Sequence, residues 1–176
     1  MTLDALNTAT LALLVPLAAL ITYYDSRYRR IPNAFVLATL AGGLAVNTLF
    51  NGLGGAWASA GGCLLAFVLM FVLHVFGAMG AGDVKLFAAI GSVVGSGLVL
   101  PTFVVVVLTG GALAVVQMVR GGLVKETLWR VAQIFVGLLP GWQMPRFAVP
   151  AEKRHTIPYG VAITFGSLIS LAIFRA

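Results

Sequence analysis

Charged side chains are scarce in this chain. Asp, Glu, Lys and Arg together make up 9% of its 176 residues, whereas an average soluble domain carries about 25%. Hydrophobic residues make up 60%, and the mean hydropathy is +1.04. So few polar side chains cannot cover the surface of a soluble protein of this size. The composition therefore predicts an integral membrane protein with the lipid bilayer as its surroundings.

Residues that commonly build metal or disulfide sites are also few. Cys63 is the only cysteine, which excludes a disulfide or a cysteine-based metal site within one chain. Asp25, Asp83 and His74 could in principle bind a hard cation, but no spacing motif supports such a site. We therefore expect no metal and no cofactor. The net charge of +6 includes no basic run interleaved with aromatic residues, so nucleic acid is not an expected partner.

Long apolar runs are abundant instead. A bilayer-spanning helix needs roughly 20 apolar residues, and six segments approach or reach that length. A long run is divided near Pro101, because Gly95-Ser96-Gly97 and Pro101 interrupt it. The first segment has no basic residue before it, so it is interpreted as a retained helix and not as a cleaved signal peptide. The six predicted segments are 5–24, 34–50, 56–76, 84–100, 101–119 and 157–174.

The basic residues predict the orientation of these segments. Nine of the eleven Lys and Arg residues fall in alternate linkers and Lys85 directly follows another of these linkers, so ten lie on one side and only Arg175 lies on the opposite side. The basic side of a membrane protein faces the cytoplasm. Both termini are then outside, which requires an even number of helices.

The longest connection between segments, 120–156, is predicted to stay on the cytoplasmic side. Its apolar residues recur at spacings of three and four between Val124 and Leu138, which predicts an amphipathic helix lying on the membrane surface. The fold class is therefore all-α: a single membrane domain, 1–176, with about six transmembrane helices and one cytoplasmic amphipathic helix.

Two of the five acidic residues lie at the ends of apolar segments. Asp25 follows the first segment and Asp83 precedes the fourth, and the predicted topology puts both at the cytoplasmic face. Carboxylates next to a bilayer are costly and usually functional. Two neighbouring carboxyls share one proton, so that one can activate water while the other polarises an amide carbonyl.

Structural roles for these acids compete with the catalytic one. Asp83 could be only the N-cap of a helix that begins at Val84, and Asp25 could pair with Arg27 or Arg29. The nearby Gly77, Gly80 and Gly82 let the backbone take positive φ and come close to another chain, which suits a loop that holds an extended substrate. Lys85 is expected to extend towards the membrane surface.

Three blocks of the sequence resemble the type IV prepilin peptidases, which are GxGD-type intramembrane aspartic endopeptidases. They are Asp25 with Arg-Ile-Pro-Asn at 30–33, the stretch 77–86 with Gly80-Ala81-Gly82-Asp83, and Ile-Pro-Tyr-Gly at 157–160. The resemblance implies Asp25 and Asp83 as the catalytic pair. It implies site-shaping or substrate-binding roles for Gly80, Gly82, Lys85, Pro158, Tyr159 and Gly160.

The resemblance also implies a substrate and a location. The enzyme would sit in the bacterial inner membrane and remove the short basic leader of a pilin or pseudopilin precursor, after a glycine, at the cytoplasmic face. Long members of the family carry a cysteine-rich insertion between the first two helices and methylate the new N-terminus. This chain has only a few residues there and one cysteine. It is similar to the short forms of tight-adherence pilus systems, and methyltransferase activity is not expected.

Two other functions remain open at this point. A presenilin-type intramembrane protease also uses Tyr-Asp and GxGD, and Tyr24-Asp25 fits it, but its two aspartates lie on adjacent helices. A small proton-coupled transporter would use an Asp for transport, although transporters place their acids near the bilayer midplane. The oligomeric state is not indicated by the sequence.

Overall fold

A computed structural model describes residues 2–77, 79–122 and 159–175, with side chains from Ala5 onwards. Every regular element in those residues is an α-helix, as the composition predicts. We number them α1 to α5: Thr2–Tyr28, Asn33–Val75, Ala81–Val94, Val99–Arg120 and Tyr159–Phe174. The amphipathic helix predicted within 120–156 lies almost wholly outside the described residues.

Three of these helices are long and apolar enough to cross a membrane. They are Ala5–Tyr28 in α1, Asn33–Val75 in α2 and Val99–Arg120 in α4. Helices α3 and α5 have only 14 and 16 residues, less than the roughly 20 that a straight crossing needs. The predicted count of about six crossings is therefore not confirmed, although the membrane character is.

The 43-residue helix α2 contains one break, at Gly52, whose φ of 58° is not helical. Asn47 Nδ2 and Ser59 Oγ, on either side of this break, both donate to the carbonyl oxygen of Ser92, each at 2.8 Å. In a straight helix these two residues would be about 18 Å apart along the axis. The chain therefore reverses direction at Gly52, and α2 forms two arms that correspond to the predicted segments 34–50 and 56–76.

The short helix α3 is the buried centre of the fold. All its residues from Leu86 to Val94 are buried, packed mainly against the two arms of α2. Gly62 lies against the carbonyl oxygen of Gly91, so a side chain at Gly62 would force the two helices apart. Small residues thus allow close helix packing here, as is usual in membranes.

The predicted break before Pro101 is confirmed. Helix α3 ends at Val94, Gly95 adopts a φ of 78°, and α4 begins at Val99. The first helix is longer than the predicted segment 5–24, since it continues to Tyr28. Asp25 is therefore inside the last two turns of α1 and not in the linker that follows it.

Helices α1 and α5 run antiparallel. Thr22 Oγ1 lies 3.1 Å from Thr164 Oγ1, and Asn7 donates to the carbonyl oxygen of Arg175 at 2.6 Å. The C-terminal end of α1 and the N-terminal end of α5 therefore meet at one end of the bundle. These contacts belong to a compact unit formed by residues 1–110 and 158–176. Residues 111–157 are assigned to a second unit. The structure describes only residues 111–122 of this second unit, which are the end of α4 and the turn after it.

Candidate active site

Asp25 lies at the meeting point of α1 and α5. Its side chain is buried, with 7% of the residue exposed, and its Oδ2 has no hydrogen-bond partner among the described residues. A methyl group added to Gly160 would lie 2.7 Å from this oxygen. The backbone N–H groups of Gly160 and Val161, at the start of α5, also face the carboxyl. A buried carboxylate oxygen without a bound partner is unusual and marks a candidate functional group.

Asp83 lies in the first turn of α3 and not at its N-cap. The helix begins at Ala81 and its N-cap is Gly80, so the predicted capping position of Asp83 was wrong by three residues. Its Oδ2 nevertheless accepts a hydrogen bond from the N–H of Gly80 at 3.2 Å, as the third residue of a helix often does. The carboxyl therefore has a structural contact through one oxygen and remains only partly buried.

The two carboxyls interact electrostatically. The charge of the Asp25 carboxylate acts on the Asp83 carboxyl. A like charge has such an effect only when it is close. The fold thus brings together two residues that are 58 positions apart in the sequence, as expected from their predicted placement on the same membrane side.

Arg29 supplies a positive charge beside Asp25. Its φ of 53° is in the left-handed region, which is uncommon for a residue with a side chain. Its N–H donates to the carbonyl oxygen of Asp25 at 3.0 Å and ends the last turn of α1. Nothing in the sequence distinguished Arg29 from the neighbouring Arg27 and Arg30, because the positive φ depends on how α1 ends.

The glycines before Asp83 differ from one another in backbone conformation. Only Gly77 has a positive φ, of 74°, whereas Gly80 has a φ of −76° as an extended N-cap and Gly82 is an ordinary helical residue. Of these three glycines, only Gly77 therefore uses the positive φ that glycine permits. His74 Nδ1 lies 2.7 Å from the carbonyl oxygen of Met79, so this histidine fixes the turn that leads into α3.

The remaining predicted site residues are arranged around the pair at different distances. Gly160 touches Asp25, whereas Lys85 is exposed on α3. Tyr159 packs its ring against Gly110 of α4, where an added methyl group would lie 3.7 Å from Tyr159 Cε1. Pro158 lies outside the described residues. Among the described residues, no cluster of three or more His, Cys, Asp and Glu could bind a metal ion.

An aromatic cluster that was not predicted from the sequence adjoins Asp25. The Tyr24 ring is 5.4 Å from that of Tyr28 and 5.2 Å from that of Phe35. These contacts link the end of α1 to the start of α2 across a four-residue connection. The cluster fixes the position of the backbone that carries Asp25.

Comparison with known proteins gives a consistent result. The model of the type IV leader peptidase family matches residues 12–115, a range that contains both Asp25 and Asp83. The chain is also 30% identical over 159 residues to a prepilin leader peptidase/N-methyltransferase of Bacillus subtilis (strain 168), with 89% of this chain and 52% of that protein covered. The chain thus spans about half the length of the curated relative that it matches. No solved structure matches. Since the family model covers more than half of the chain, this protein belongs to the type IV leader peptidase family.

Proposed function

We propose that this protein is a membrane-embedded aspartic endopeptidase that removes the short basic leader of pilin-like precursors. The observation that carries the proposal is the convergence of Asp25 and Asp83 at one end of the bundle, close enough for the charge of one carboxyl to act on the other. Membership of the leader peptidase family supports the same reaction class.

The surroundings of the two carboxyls favour different roles. Asp25 faces two backbone N–H groups and the Arg29 guanidinium, which stabilise a carboxylate against the cost of burial, so we assign it the role of general base. Asp83 is partly buried beside the Asp25 carboxyl, so we assign it the shared proton and the role of general acid. Asp25 takes a proton from water as the water oxygen bonds to the scissile carbonyl carbon, and Asp83 protonates the carbonyl oxygen. The C–N bond then breaks as the leaving nitrogen takes the proton held by Asp25, and the carbonyl re-forms as its hydroxyl proton returns to Asp83.

A cytoplasmic location of this site follows from the distribution of charge. Arg27, Arg29 and Arg30 follow Asp25 in sequence, and basic residues mark the cytoplasmic side of membrane proteins. We propose that α2 crosses the bilayer twice, reversing at Gly52, and that α3 and α5 complete a bundle of six crossings in a bacterial inner membrane. Both termini would then lie outside.

Substrate selection by charge alone is not expected. A basic leader would be repelled by the basic residues around Asp25. We propose that the apolar helix of the precursor enters sideways between the transmembrane helices, and that this contact selects it. A precursor whose apolar segment has been removed should then be cleaved much more slowly than the intact one. Equal cleavage of the two substrates would exclude this mode of recognition.

We restrict the proposal to peptidase activity. The Bacillus relative is named for both a leader peptidase and an N-methyltransferase, but this chain covers only about half of it. The connection between α1 and α2 is four residues long, 29–32, which leaves no room there for a further domain. No observation on the described residues favours the transporter or presenilin-type alternative over leader cleavage.

The deciding experiment is a cleavage assay in membranes with a pilin precursor. Asp25→Asn and Asp83→Asn keep the size of the side chain but remove its acidic proton, and Asp4→Asn makes the same chemical change in the first turns of α1. We expect each of the first two variants to lose cleavage while still accumulating in the membrane, and Asp4→Asn to retain it. If Asp25→Asn or Asp83→Asn cleaves normally, that residue is structural and the proposed mechanism is wrong.

A further inference from the structure

A second polar site lies at the end of the bundle opposite Asp25. Arg175, just after α5, is only partly exposed. One of its terminal nitrogens donates to Thr10 Oγ1 at 3.2 Å and the other to the carbonyl oxygen of Val94 at 2.9 Å. The guanidinium thus joins the ends of three helices, α1, α3 and α5. It makes no contribution to the proposed peptidase site.

The charge of Arg175 is not balanced within the described side chains. Its acceptors, Thr10 Oγ1 and the Val94 carbonyl oxygen, are both neutral, and no described carboxylate forms an ion pair with it. A guanidinium has five N–H donors, so several remain for an anion. Burial lowers the pKa of Arg175, which shows that the charge is partly removed from water. An arginine in such a position usually binds a carboxylate or a phosphate.

An apolar cavity adjoins this guanidinium. It has a volume of about 180 Å³, and it is lined by Asn7, Thr10, Leu11, Leu171, Ala172 and Arg175. Leu11 and Ala172 are themselves exposed, so in a membrane the cavity opens towards lipid. The volume is smaller than the roughly 300–1,000 Å³ of a pocket that encloses a small molecule. The cavity therefore fits only part of a ligand, with the remainder lying along the outer surface of α1 and α5.

We propose that this site binds one anionic phospholipid, with the phosphate on Arg175 and part of an acyl chain in the cavity. The pairing of an unbalanced cation with an apolar cavity matches an amphiphile, whereas a free phosphate would use only the cation. The site is at the ends of membrane helices, where headgroup phosphates are expected. The bound lipid would hold α1, α3 and α5 together at the end of the bundle away from the carboxyl pair.

The test measures lipid retention on the purified full chain. The protein in detergent is titrated with phosphatidylglycerol, and the bound lipid is counted by native mass spectrometry. Arg175→Gln should weaken binding about tenfold or more, because it removes a charge-assisted contact to the phosphate. Arg175→Lys should retain part of the affinity. Arg120→Gln is the matched control, since it removes the same charge from an exposed position on α4, and it should bind as the unaltered protein does.

Two further variants separate the alternatives. Ala172→Phe fills the cavity and leaves the guanidinium in place, so it should also weaken binding, and it decides the question if Arg175→Gln fails to accumulate. Unchanged binding in Ala172→Phe, or displacement of the lipid by millimolar inorganic phosphate, would show a site for a small anion and overturn the proposal. Asp4 lies one turn before Asn7 in the sequence. A rise in lipid binding in Asp4→Asn would show that Asp4 neutralises Arg175 and would equally overturn it. Peptidase activity is not needed for any of these measurements.

Discussion

Replacing Gly160 with alanine should strongly reduce precursor cleavage, although the change adds only one methyl group. In Gly160→Ala the new methyl group would lie 2.7 Å from Oδ2, 3.0 Å from Cγ and 3.2 Å from Cβ of Asp25. Side-chain carbon and oxygen atoms normally approach no closer than ordinary van der Waals contact, roughly 3.5 Å. The Asp25 carboxyl must therefore move by several tenths of an ångström up to about 1 Å, or the start of α5 must move away from α1.

The size of the effect follows from the geometry that the reaction requires. Catalytic groups must be held within about 0.5 Å of their productive positions, and a displacement of about 1 Å can lower the rate roughly 100-fold. We expect the initial rate of precursor cleavage in membranes to fall by about 10- to 100-fold in Gly160→Ala. The variant should still accumulate in the membrane, because only one contact between α1 and α5 is disturbed.

Two glycine variants serve as controls for this prediction. At Gly61 an added methyl group meets only Ser96 Cβ, at 3.6 Å, so Gly61→Ala should leave cleavage unchanged. At Gly166 the methyl group would lie 2.8 Å from Val106 Cα, so Gly166→Ala should lower stability by disturbing the packing of α4 and α5 away from Asp25. If Gly160→Ala cleaves at the normal rate, or if Gly166→Ala loses activity to the same degree at equal stability, the reasoning about carboxyl position is refuted.

Two further predictions concern pH and packing. If Asp83 is the general acid, kcat/KM for precursor cleavage should fall about tenfold per pH unit at alkaline pH, once the shared proton is lost; a profile that is flat from pH 5 to 9 would contradict the assignment. Asn47→Leu should lower the free energy of unfolding by about 1–3 kcal/mol, since buried carbonyl oxygens of Ser92 and Val93 would lose a donor; an unchanged unfolding midpoint would contradict the packing described for α2 and α3.

The parts of the fold that the sequence predicted correctly depend on local signals. The Gly95 to Pro101 interruption predicted that α3 and α4 are separate helices, because glycine and proline act on the backbone directly. The predicted division after residue 100 lies six residues beyond the observed end of α3 at Val94. The alternation of basic linkers predicted that Asp25 and Asp83 share one side. In both cases the pattern lies within one segment or repeats along the chain, so no knowledge of packing is needed.

The errors concern features that packing determines. The sequence placed the end of the first helix before Asp25, but tertiary contacts such as that of Tyr24 with Phe35 extend α1 by another turn. The glycines at 80 and 82 permit positive φ but do not adopt it, since a residue that permits a conformation does not require it. The direct contact of Gly160 with Asp25 joins residues 135 positions apart, and only the resemblance to a family suggested that this block mattered.

The short length of α3 has a consequence for the carboxyl pair. A helix of 14 residues is about 21 Å long, which is less than the thickness of the hydrocarbon core, about 30 Å. Its C-terminal end is fixed by contacts of Ser92 with both arms of α2, so its N-terminal end cannot extend as far as a full-length helix would. The position of Asp83 is therefore set by contacts at the other end of α3. We infer that the length of α3, and not only the identity of Asp83, places this carboxyl beside Asp25. Insertion of one helical turn, about four residues, after Ala88 should shift Asp83 by about 6 Å along the helix axis relative to Asp25, so precursor cleavage should fall at least about 100-fold; cleavage at the normal rate would contradict this inference.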